Sequence, residues 1–119
     1  MKSKTLLQIE DEIQTIKSQL QAIGDMRPGS LTKQYRNRKE RTGAFFQISY
    51  THNMKSKTEY VRPAFVKEVR RQIRNYKKFK KLVARWVALG ILHSQLTMKL
   101  VIEMSESPRT KRQTRKHRG

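Results

Sequence analysis

The chain has 119 residues, 28 Lys and Arg against 9 Asp and Glu, a formal charge of +19 and no cysteine. That length holds one small domain with tails, and the missing cysteines exclude a disulfide framework and a thiolate metal site. So large a positive surplus repels itself unless an anionic partner neutralises it, and nucleic acid is the partner indicated, because each phosphate contact releases a counterion. An anionic membrane surface is the rival, although a helix lying on a membrane shows a broad exposed Trp, Phe and Leu face. No apolar run reads as long enough to cross a bilayer. Met1-Lys2-Ser3-Lys4 leads into an amphipathic pattern without a signal-peptide core, which points to a cytoplasmic protein.

Leu6, Ile9, Ile13, Ile16, Leu20 and Ile23 alternate steps of three and four, a heptad-grade seam that predicts a helix stopped by Gly24 and Pro28-Gly29. Two roles are open to it: an antiparallel partner for a later helix, or a dimerising coiled coil. Residues 27–43 read as a basic, turn-rich connector, with Arg27, Lys33, Arg36, Arg38, Lys39 and Arg41 against the single acid Glu40. It is either a solvated loop or a phosphate contact, with Leu31 and Tyr35 anchoring it.

Residues 44–51 are the clearest strand: Phe46, Ile48 and Tyr50 alternate with Phe45, Gln47 and Ser49. A loop over 52–56 returns the chain to a second strand, 57–62, and Pro63 ends it. Phe45 is open to two roles, as packing or as a stacking platform for bases.

From Pro63 to Leu89 the spacing predicts one long helix with two faces. Phe65, Val66, Val69, Ile73, Tyr76, Phe79, Val83, Trp86 and Val87 fill one half. Lys67, Arg70, Arg71, Arg74, Lys77, Lys78, Lys81 and Arg85 crowd an arc of roughly 120° beside it. Lys80 falls inside the apolar half, where its stem can pack while its amine reaches outward. The apolar stripe changes phase past Leu89, so a kink or break is expected at Gly90, followed by a second helix over 91–104. That helix either folds back on the core or docks a partner. From Ser105 periodicity is lost, and Arg109, Lys111, Arg112, Arg115, Lys116 and Arg118 mark a disordered basic tail.

Nothing in the pattern points to catalysis or a cofactor. His52, His93 and His117 are scattered without a second ligand at metal-like spacing. No carboxylate pair is set up for acid–base work, and the five glycines are isolated.

Met26-Arg27-Pro28-Gly29-Ser30-Leu31-Thr32-Lys33-Gln34-Tyr35, the strand Phe45 to Tyr50, Lys57-Thr58-Glu59-Tyr60-Val61 and Asn75-Tyr76-Lys77-Lys78-Phe79-Lys80-Lys81-Leu82 resemble a family of small uncharacterised prokaryotic proteins that travel with insertion-sequence transposases. The resemblance covers residues 6–89 and implies a DNA-binding accessory role. Relatives often carry a cysteine cluster where this chain has Arg36-Asn37-Arg38-Lys39-Glu40-Arg41, so it carries over no zinc site.

The expectation is therefore an α+β domain over residues 1–104 with a tail over 105–119. An N-terminal helix packs antiparallel on a long basic helix, a two- or three-stranded aromatic hairpin is inserted between them, and a C-terminal helix follows. The expected function is non-enzymatic nucleic-acid binding through phosphates, DNA ahead of RNA, using the helix arc, Lys55 and Lys57 at the hairpin, Arg36, Arg38, Lys39 and Arg41, and the tail. A transposase or other protein on the C-terminal helix, and a homodimer, are further expected partners. The alternatives are an RNA-binding ribonucleoprotein component and a helical interaction or oligomerisation module whose charge serves solubility.

Overall fold

Thr5 opens the first helix with a reciprocal cap: the Gln8 backbone N–H donates to Thr5 Oγ1 at 3.2 Å, and the Thr5 N–H donates to Gln8 Oε1 at 3.0 Å. This capping box satisfies two N–H groups that the helix geometry orphans, and it starts α1, Leu6–Gln21. In the computed structural model, which describes residues 4–105, three strands follow: β1 Ser30–Asn37, β2 Thr42–His52 and β3 Lys55–Val61. They form one antiparallel sheet in the order β1-β2-β3. A three-residue 3-10 turn, Pro63–Phe65, leads into α2, Val66–Ser105. The chain is thus α+β: a helix, a three-stranded antiparallel sheet and a long C-terminal helix.

Three local expectations are corrected. The basic connector contains a strand, since Ser30 to Asn37 pairs with Ser49 to Thr42 of β2. The loop at 52–56 shrinks to a two-residue turn at Asn53-Met54, because His52 already pairs with Lys55. Both turn residues have positive φ, 51° and 64°, the combination that matches the twist of a two-residue hairpin. Finally, Gly90 does not end a helix: α2 runs its full 40 residues through it. Glycine in a helix interior costs only about 1 kcal/mol, and the buried Leu89 beside it, 3% exposed, holds the turn in place.

The described residues divide into two compact units, Gln19–Leu82 and the pair of stretches 4–18 and 83–105. In the first, Ile48, Val61 and Ile73 form the buried cluster, with Leu31, Phe46, Val66 and Val69 packed against it. Register explains the choice. Leu31 and Glu59 flank Ile48, and Lys33 and Val61 flank Phe46, so one sheet face supplies the apolar contacts to α2. Gly29 lies so close to Ile48 that an added Cβ would sit 2.7 Å from its side chain, and its φ of 149° also favours glycine. The loop before it is tied to α2: the Arg27 N–H donates to the Gln72 carbonyl at 3.2 Å, and Asn75 Nδ2 donates to the Asp25 carbonyl at 2.8 Å.

In the second unit Ile9, Ile16 and Leu89 are buried. Lys17 Nζ sits 5.4 Å from the Trp86 ring centroid, Arg85 donates to Glu12 at 2.8 Å, and His93 bonds Glu10 at 3.0 Å. This unit also corrects the expectation about apolar runs: the helix Pro63–Ser105 holds an 18-residue stretch long and apolar enough, by length and composition, to cross a membrane.

Candidate nucleic-acid interface

α2 presents its cations because the 3.6-residue period keeps Val66, Val69 and Ile73 on the sheet while the adjoining arc faces water. Lys67, Arg70, Arg71, Arg74, Lys77, Lys78, Lys81 and Arg85 lie along that arc, but they are not equivalent. Arg71 donates through Nε to Glu68 at 2.9 Å, and that bond holds the Glu68 carboxyl below the ordinary range and pushes the Arg71 guanidinium up. Arg85 is paired with Glu12, whose carboxyl is held below its ordinary value first by Lys4 and then by Arg85. Lys67, Arg70, Arg74, Lys77, Lys78 and Lys81 form no salt bridge among the described residues. All six belong to the Gln19–Leu82 unit.

Beside this strip lie two open grooves that share Gly29, Ser30, Ile73 and Lys77. One, of about 370 Å³, is bordered by Arg70, Arg74 and Lys77, with Leu31 of β1 opposite. The other, of about 450 Å³, opens where the β2–β3 hairpin runs beyond the start of β1; Lys57, Lys77 and Lys80 line it with Tyr50, Tyr76 and several hydroxyls. Among the described residues no carboxylate lines either groove. A third groove, along β3, differs: Glu59 and Glu68 line it together with Arg27 and Arg62. There Glu59 accepts from Arg27 at 3.2 Å and from the Tyr50 hydroxyl at 3.2 Å, so its charge is compensated within the fold. Among these three grooves, unbalanced positive charge is therefore confined to the pair bordered by β1 and the hairpin.

Lys55 and Lys57 sit on β3 beside the Asn53-Met54 turn, exposed, and only Lys57 borders the groove. Arg36 lies at the end of β1, and Arg38, Lys39 and Arg41 lie in the β1–β2 turn, all exposed; neither groove is lined by a residue of that turn. Arg109, Lys111, Arg112, Arg115, Lys116 and Arg118 fall outside the described residues. Lys80, which helix spacing alone marks as a packing exception, does line the groove, with its amine 5.6 Å from the Tyr76 ring centroid. Its position inside the apolar arc is the available signal, since a cation there has to reach past the sheet edge. Arg70 likewise stands 5.8 Å from the Phe46 ring centroid.

The sheet's other face is nearly free of charge. Register places Ser30, Ser49 and Thr58 in one row, Thr32, Gln47 and Tyr60 in the next, and Gln34 beside Phe45. Ser49 and Thr58 share a hydrogen bond at 3.2 Å, as do Thr51 and Ser56 at 2.9 Å. Tyr60 is 59% exposed, whereas Phe45 is half-buried. Among the described residues no three His, Asp or Glu side chains gather where they could share a metal ion. Set against protein-family models, curated proteins and solved structures, the chain matches none of them.

Proposed function

We propose that this chain is a non-enzymatic nucleic-acid-binding protein that grips phosphates with the unpaired cations of α2 and the two grooves beside them, duplex DNA ahead of RNA. The observation that carries the proposal is the charge separation within Gln19–Leu82. The cations bordering the two shared grooves have no carboxylate in the lining, while the acids nearby are already paired. Lys77 and Lys81 stand one turn apart, as do Arg70 and Arg74, giving a row of donors about 6 Å apart along the helix. Such a row positions a backbone and reads no base, so little sequence preference follows. In the same reading α1 is the antiparallel support of the long helix, the aromatic β2–β3 hairpin is the far wall of the groove, and the cellular address is cytoplasmic. The resemblance to transposase-associated proteins makes a mobile-element accessory role the biological setting.

Reversing Arg70, Arg74, Lys77 and Lys81 to Glu together tests this. The four side chains lie on the solvent side of α2, so the melting temperature is expected to change little. Affinity for a random duplex should fall by orders of magnitude, and the salt slope should shallow by about 0.9 for each phosphate no longer neutralised. Four Gln replacements separate the missing attraction from the added repulsion. Single-stranded DNA and double-stranded RNA serve as parallel arms that rank the ligands. A folded quadruple Glu variant that binds all of them at wild-type strength removes α2 as the interface.

A further inference from the structure

Past the basic strip, α2 changes character. Between Arg85 and Lys99 the sequence contains no Lys, Arg, Asp or Glu, an uncharged interval in a chain of +19. Ala84, Val87, Ile91, Ser94, Met98 and Val101 recur through it at steps of three and four, and all are exposed; Val87, Ile91, Met98 and Val101 are each between 56% and 57% open to solvent. At 100° per residue they line one seam, on the side away from Leu89 and Leu96. α1 does not cover it: its contacts fall on Arg85, Trp86 and His93, and its start borders Leu96, Lys99 and Leu100.

We propose that this seam is the docking surface for a second copy of the chain, with the two α2 helices antiparallel about a two-fold axis between Ile91 and Ser94. The chemistry favours self-pairing. The seam has the coiled-coil period, and an isologous contact across it sets no charge against its like. Two helices alone form a thin layer, and a second pair completes a bundle that buries both stripes. Side-chain size selects the direction: a parallel pair sets Ile91 on Ile91 and Ser94 on Ser94, while an antiparallel pair sets each Ile91 against a Ser94. Antiparallel register also sets Ala84 against Val101, Ile91 against Ser94 and Val87 against Met98, which places small residues opposite large ones in two of the three pairs.

The seam exposes on the order of 500 Å², comparable to the largest patch an ordinary monomer leaves open. That is below the roughly 800 Å² per partner of a standard interface, so a micromolar rather than nanomolar dimer is expected. The same helix holds the stretch apolar enough to cross a membrane. Yet α1 shares its compact unit and carries Glu10, Asp11, Glu12 and Lys17, which hydrocarbon does not accept without a large penalty. A second copy fits the seam and leaves those charges in water.

Sedimentation equilibrium of the full chain, free of nucleic acid, tests the proposal. Wild type should show a concentration-dependent doubling of mass by about 100 μM, stronger at high salt because screening relieves the repulsion between copies. The salt trend is opposite to that of phosphate binding, so the two proposals fail separately. Ile91→Asp with Met98→Asp should weaken dimerisation by more than about 100-fold by burying charge in the seam, with helical content followed by circular dichroism. Ser94→Leu should tighten it, which keeps the test decisive if the double variant does not fold. Because the chain has no cysteine, Val87→Cys and Met98→Cys variants should form a mixed disulfide with each other in preference to either alone. A monomer at every concentration for both wild type and Ser94→Leu overturns the proposal. So does flotation of wild type with neutral phosphatidylcholine vesicles that Ile91→Asp with Met98→Asp abolishes, or a mass doubling that this variant leaves untouched. Homodisulfides from each single variant in preference to the mixed one overturn the antiparallel register.

Discussion

The two halves of α2 differ more from each other than either differs from its own surroundings. Within Gln19–Leu82 the helix is backed by a sheet through Ile73 and studded with cations that form no salt bridge among the described residues. Within 83–105 it carries few charges; there Arg85 pairs with Glu12, and the His93 ring hydrogen-bonds Glu10. One continuous helix thus serves a region that leaves its charge unsatisfied and a region that leaves its apolar surface unsatisfied. A helix's chemistry is set by what packs on each stretch of it, and each unsatisfied property marks where a partner of that chemistry fits.

The largest stability effect expected sharpens the distinction between the two cores. Ile48 is fully buried against Val61 and Ile73, so Ile48→Ala is expected to cost about 2–5 kcal/mol through the forfeited transfer energy and the cavity left behind. Amide exchange should rise across β2 and β3, while the amides around Leu89 keep most of their protection. Equal loss of protection around Leu89 breaks the comparison, because the two units then open as one.

An intermediate effect comes from acid and bears on the second unit. Glu12 is held below its ordinary value near 4.5 by Lys4 and Arg85, so it binds fewer protons folded than unfolded. Its contribution is present above the unfolded pKa and is lost as pH falls through the lower folded pKa. Glu12→Gln should therefore melt below wild type near neutral pH, with the gap closing as both are titrated toward about pH 3. A gap of constant size across that range shows that the carboxylate's charge is not what joins α1 to Arg85. Glu68 should give a weaker trend: its partner Arg71 lies one turn away on the same helix, and a local exposed pair closes no long-range contact.

Much of this is legible in the sequence where one period dominates. β2 is readable because Phe46, Ile48 and Tyr50 alternate without interruption, and the helix period of the cations marks the strip. β1 is not, because its inward row is Leu31, Lys33 and Tyr35: a lysine breaks the apolar alternation, as an edge strand tolerates. Lys80 stands out in the sequence as a cation inside the apolar arc, but the groove it lines is hidden there, because that groove depends on the hairpin reaching past β1, a matter of register rather than of helix spacing. The pairing of Arg71 and Arg85 is equally hidden, since only the folded chain tells which cations of an arc have found an acid.

The smallest effect concerns the junction itself. Gly90 reads as a break because the apolar stripe shifts phase there, and glycine is the residue that most readily ends a helix. The helix instead continues, so the phase shift reflects different neighbours along an unbroken α2. A Cβ built at Gly90 meets nothing within 4 Å, so alanine introduces no clash, lowers the entropy of the unfolded chain and keeps every helical hydrogen bond. Gly90→Ala should accordingly raise stability by about 1 kcal/mol, seen as a higher denaturant midpoint with unchanged slope. Nucleic-acid affinity should not move, because position 90 lies outside the basic strip and both grooves. A drop in stability, or a change in binding with stability intact, would mean that the glycine acts as a hinge in solution and that the two stretches of α2 are separate helices after all.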